Sequence, residues 1–118
     1  MGIQPQRLGR AARKALARVD TGHARAWIPS IVAIELTLLQ EAGRRVLTVA
    51  DVHAATKRNG EVRILPHDLR QATEFALLIA LADPFDRIIV AAARAIERPL
   101  ITADEDIRQS GLVDVVWE

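Results

Sequence analysis

Three times along this chain a run of four or five mostly apolar residues passes, at once or within three residues, into a helical pattern: "RAWIP" into "SIVAIELTLLQEAGR", "EVRIL" into "LRQATEFALLIA", and "PLIT" into "DEDIRQS". That handover limits the fold more than any other feature. Strands so short and apolar are buried on both faces, and the helices between them are the crossovers that parallel neighbours require. A further helical pattern, "PFDRIIVAAARAIE", precedes "PLIT", and "VDVVW" reads as a fourth strand. The expected class is α/β, a mostly parallel sheet covered by helices.

Punctuation residues sharpen the boundaries. Leu8, Ala11, Ala12, Ala15, Leu16 and Val19 repeat every three or four positions, which predicts an amphipathic helix from Pro5 to Val19, ended by "DTGHA". Ser30 opens the next helix and Gly43 closes it, Thr48 with Asp51 has capping-box form, and His67 or Asp68 is placed to cap "LRQATEFALLIA". Asp83 followed by Pro84 matches an N-cap and first helical position, and Thr102 with Glu105 has capping-box spacing ahead of a short helix stopped by Gly111. With no repeat, linker or low-complexity segment, the 118 residues are expected to form a single domain.

No apolar run approaches the ~18 to 20 residues that a membrane span needs. The N-terminal "MGIQPQRLGRAARKAL" is basic without an apolar segment or cleavage site, so a cytoplasmic protein is expected. There is no cysteine, and His23, His53 and His67 are scattered. Any bound metal must therefore be held by oxygen. Sixteen basic and fifteen acidic residues leave a formal charge of +1, which neither demands nor excludes a nucleic-acid partner. Arg7, Arg10, Arg13, Lys14 and Arg18 crowd the first helix, as a ridge that could meet phosphates or as a solvated face.

Ligands of open α/β sheets bind where the carboxyl ends of strands feed the next helices, and Glu35, Asp86 and Asp104 all follow a strand or open a helix. At 100° per residue Glu35 shares a side of its helix with Ile31, Leu38, Leu39 and Ala42, so it is expected to point inward. Burying an ionised carboxylate alone costs several kcal/mol, on the order of a small domain's stability margin. It needs a partner, either Arg87, Arg94 or a cation. Asp83 is explained as a cap, whereas Asp86 lies at the edge of the stripe formed by Phe85, Ile89, Ala92, Ala93 and Ile96 and reads equally as first-turn acid or cleft group. Asp104 and Asp106 remain after the capping residues of "TADEDI" are set aside. Carboxylates from separate strand ends, without Cys or His, suit magnesium or manganese.

The segments "IPSIVAIELTLLQEAGR", "DPFDRIIVAAARAIERPLITADEDI" and "GLVDVVW" resemble the PIN-domain family, more narrowly the VapC-type toxins of toxin–antitoxin pairs. The resemblance implies a three-layer α/β/α fold and a ribonuclease dependent on Mg²⁺ or Mn²⁺, often dimeric and neutralised by a cognate antitoxin. Under it, Glu35, Asp86 and Asp104 are the catalytic, metal-holding acids, with Asp106 a possible outer contributor and Arg87 a candidate contact to the RNA backbone. Members of the family begin with an aliphatic strand ending in Asp-Thr, which supplies the first acid of the site. Here that central strand is missing, and Asp20-Thr21 follows a helix and does not replace it. The first expectation remains the metal-dependent endoribonuclease; the alternative is a fragment or impaired module that keeps antitoxin or dimer binding without nuclease activity. An unrelated α/β binding domain with capped helices is the third reading.

Overall fold

The computed structural model describes residues 8–118. The part of the first helix expected over residues 5–7, with Arg7, lies outside them. Six helices and four short strands follow in order: α1 (Arg10–Asp20), β1 (Ala26–Pro29), α2 (Ile31–Glu41), α3 (Val49–Arg58), β2 (Val62–Leu65), α4 (Leu69–Ala76), α5 (Pro84–Ala95), β3 (Leu100–Ile101), α6 (Glu105–Ser110) and β4 (Val115–Val116). The chain is α/β, as its alternating pattern requires.

Both strand pairings are parallel. β1 lies beside β2, with Ala26 opposite Val62 and Pro29 opposite Leu65, while β3 lies beside β4, with Leu100 opposite Val115. Among the described residues no ladder joins the two pairs, so the sheet is divided into two halves. Pro29 has no N–H, and its place at the end of β1 spares the ladder that loss, since Ser30 N donates to Leu65 O immediately beyond it.

The main core lies under β3 and β4. Leu78, Leu81, Val90, Ala91 and Ile107 are buried together, with Phe75, Leu100, Leu112, Val113 and Val115 packed around them. α5 is its axis, because the small residues Ala91, Ala92, Ala93 and Ala95 let α4 and α2 approach closely on different sides. Glu74 of α4 meets Arg94 of α5 in an ion pair of 2.9 Å, and Arg94 also donates to Leu112 O.

α1 is tied to both strand pairs. Near its start Ala12 N donates to Trp117 O, just past the carboxyl end of β4, and at its end Asn59 Nδ2 donates to Val19 O, just before β2 begins. The N-terminus of α1 thus lies at the carboxyl end of β4 and of its parallel neighbour β3.

Two helices differ from their sequence patterns. α2 buries Val32 and Leu36, while Leu38, assigned to the inward face with Glu35, is 47% exposed. Seven of its eleven residues are apolar, so periodicity alone could not choose the face. α4 ends at Ala76 rather than continuing to Ala80; Leu78 turns into the core, and Leu77 and Ile79 face outward.

Candidate active site

Each acid is placed by local backbone chemistry. Asp83 caps α5, its Oδ1 accepting from Phe85 N at 2.8 Å and Asp86 N at 3.2 Å, with Pro84 as first helical residue. That cap fixes Asp86 in the first turn. After β3, Thr102 Oγ1 accepts from Asp104 N at 3.1 Å, and Asp104 Oδ1 accepts from Ile107 N at 2.9 Å as the N-cap of α6. The expected Thr102–Glu105 capping box is not formed. β3 ends one residue sooner than its pattern implied, so aspartate takes the capping position and Glu105 instead accepts from Gln109 Nε2 at 2.8 Å.

A common field links these groups. Burial is the first cause raising the Asp86 carboxyl, to about 6, followed by the negative charges of Asp104, Asp83, Glu35 and Asp106 in that order. Glu35, half-buried on α2, is raised as well, first by burial and with Asp83 adding to it. Elements far apart in sequence, α2, α5 and the start of α6, therefore bring their acids into one electronegative region. Asp106 is exposed in the first turn of α6 and contributes charge from the margin.

The arginines expected to neutralise Glu35 are engaged elsewhere. Arg94 pairs with Glu74, and Arg87 Nε donates to Phe75 O at 3.0 Å while its guanidinium lies 4.1 Å from the Phe75 ring centre. Neither Glu35 nor the Asp86 carboxylate has a hydrogen-bond or ion-pair partner among the described residues. Partly buried carboxylates in this condition favour either protonation or a cation. Their oxygen-only donor set and excess negative charge fit a divalent ion, although no three acidic or histidine side chains among the described residues stand close enough to hold one jointly. Asp83 belongs to this region too, since its charge acts on both Glu35 and Asp86. In the sequence its capping role accounts for it completely, and its position three residues before Asp86 is the one available signal.

The PIN domain pattern matches residues 3–111. The chain belongs to the PIN domain family. PIN domains are in general nucleases that depend on divalent metal and act on RNA or DNA. No curated protein matches the sequence. Among the described residues no helix is long and apolar enough to cross a membrane.

Proposed function

We propose that this PIN domain protein is a VapC-like toxin: an endoribonuclease that hydrolyses RNA phosphodiesters with Mg²⁺ or Mn²⁺ and is neutralised by a cognate antitoxin. The observation that carries the reading is Asp86, partly buried and raised to about 6 amid four other acids, with no arginine or lysine paired to it among the described residues. A site kept only for stability would have paired or lost such a charge.

Glu35, Asp86 and Asp104 would hold the metal, with Asp106 outside them. A bound divalent ion supplies activation of water and neutralisation of charge growing on the phosphoryl oxygens. The protein's own contribution is positional. The Asp83 cap and the Asp104 cap hold two carboxylate-bearing turns at helix starts, while α2 carries Glu35 up to them. Burial and the neighbouring acids push the Asp86 carboxyl up to about 6, so protons compete with a cation there as the pH falls. Arg87, held against Phe75, is the nearest cation in sequence and the proposed contact to the RNA backbone.

A second reading, a PIN-like module without nuclease activity, is favoured by the failure of three acids to converge among the described residues. Incubation of the purified chain with end-labelled RNA and Mn²⁺, with EDTA and with Asp86→Asn or Asp104→Asn, decides between them. Cleavage abolished by each of these three changes supports the nuclease; no cleavage by the unaltered chain supports the module.

A further inference from the structure

The acidic region creates a difficulty for any polyanionic substrate. Five carboxylates repel the phosphate backbone, so affinity for RNA has to come from cations placed beside them. α1 supplies a candidate. Its eleven residues carry Arg10, Arg13, Lys14 and Arg18 against one acid, Asp20. The whole chain has sixteen basic and fifteen acidic residues, which leaves the remainder net acidic.

The arrangement of these charges works against the helix that bears them. Arg10 opens the first turn, where positive charge opposes the macrodipole, no acidic residue stands in that turn, and the Gly9 cap offers no side-chain acceptor. Arg10, Lys14 and Arg18 are exposed and four residues apart, so they follow one face at steps of about 6 Å, a like-charge spacing that itself weakens a helix. None of the three has a carboxylate partner among the described residues. The acids beside Ala11 are already engaged, Glu105 by Gln109 and Glu118 by Arg108. Among the described residues the Arg18 guanidinium donates to the His23 carbonyl alone.

Position adds to charge. The Ala12–Trp117 hydrogen bond fixes the start of α1 at the carboxyl end of β4, the same end at which β3 delivers Asp104. The cationic face therefore begins at the strand end where β3 delivers Asp104.

We infer that Arg10, Lys14 and Arg18 form a track for the phosphates of single-stranded RNA, holding the strand whose neighbouring segment enters the acidic region. The inference rests on the nuclease reading for its biological sense, but its test does not require cleavage. Binding of a fluorescent 2′-O-methyl oligoribonucleotide, which resists hydrolysis, is measured by anisotropy in EDTA across a salt series. Replacing all three residues by glutamine is expected to reduce affinity at least tenfold at low salt. The slope of log affinity against log salt should become shallower by about 2, because each phosphate neutralised on a single strand contributes ~0.7 to it. Arg10→Lys with Arg18→Lys, which keeps the charge, is expected to preserve the slope, and so is Arg44→Gln with Arg45→Gln on the loop after α2. Unchanged binding by a folded triple variant, no binding by the original chain, or an equal loss in the Arg44/Arg45 control would overturn the track. Binding that behaves as expected without any metal-dependent cleavage would leave the track standing and remove the nuclease.

Discussion

Asp86, in the first turn of α5, lies in the field of Asp104, the cap of α6, and no cation paired to either among the described residues offsets the repulsion. Two helix starts separated by a strand thus share one excess of negative charge. Among the acids of the region, Asp86 experiences this most, because it is more enclosed than the exposed Asp104 and Asp106. Its titration is the direct readout of the site.

That titration has a definite sign. The folded chain holds the Asp86 proton up to about 6, above the ordinary value of 3.8, so between those values the folded state binds more protons than the unfolded one. Stability therefore falls as pH rises through this window, and it stays lower above it. Asp86→Asn removes the penalty. In metal-free protein its melting temperature is expected to exceed the original by about 2 to 4 °C at pH 7.5, a modest figure because the group is only partly enclosed, and to match it near pH 4. A melting difference independent of pH would contradict the assignment.

Mn²⁺ should reverse the same penalty. If Glu35, Asp86 and Asp104 hold the ion, saturating Mn²⁺ is expected to raise the melting temperature clearly at pH 7.5 and far less at pH 5, because protons compete for Asp86. Glu35→Gln and Asp104→Asn should each remove most of the rise. Calorimetric titration at the two pH values checks the competition directly.

The sequence carried the local parts of this site and little of its long-range balance. Asp83-Pro84 announced the start of α5, and the Thr48–Asp51 capping box forms with both hydrogen bonds, because each depends on residues within one turn. Asp68, rather than His67, caps α4, accepting from Gln71 N. By contrast, the freedom of Glu35 from Arg87 and Arg94 depends on Phe75, Glu74 and Leu112 of other elements. The division of the sheet is likewise non-local, since each half satisfies its own parallel register.

Arg87 offers a way to separate packing from substrate contact. Its Nε bond to Phe75 O and its stacking on the Phe75 ring tie α5 to α4, and a point charge on a flexible stem cannot reproduce both. Arg87→Lys is expected to cost about 1 to 2 kcal/mol in denaturant unfolding. Phe75→Leu should absorb much of that cost, so the double variant is less unstable than the sum. If Arg87 also meets RNA, Arg87→Lys raises KM beyond what Phe75→Leu does.

Gln71 is the one buried polar side chain of the described core, 2% exposed, and its Nε2 donates to Pro66 O at 2.8 Å. This bond joins α4 to the turn after β2. Gln71→Leu preserves most of the volume and loses the bond, and because Pro66 is itself exposed, water can serve its carbonyl. The expected cost is therefore only about 1 kcal/mol. Gln71→Glu should be worse at neutral pH and recover toward acid, since an ionised carboxylate cannot donate to that carbonyl; urea unfolding at two pH values distinguishes the cases.

Gly9 sets how closely α1 approaches the carboxyl end of β4. A Cβ there would lie 2.5 Å from the Trp117 carbonyl carbon and closer still to its oxygen, the same oxygen that accepts from Ala12 N. Both obstructing atoms are backbone, so relief requires the helix start or the chain end to move, at a cost of about 1 to 3 kcal/mol. Gly60→Ala, where a Cβ meets nothing within 4 Å, should be nearly neutral and serves as the control. Gly9→Ala is expected to lower the melting temperature by at least about 4 °C and to speed hydrogen exchange at the Ala12 amide. Because Arg10 follows directly, the displacement should also weaken RNA binding while leaving its salt slope nearly intact: the cations remain, but they no longer begin at the acidic end of the sheet.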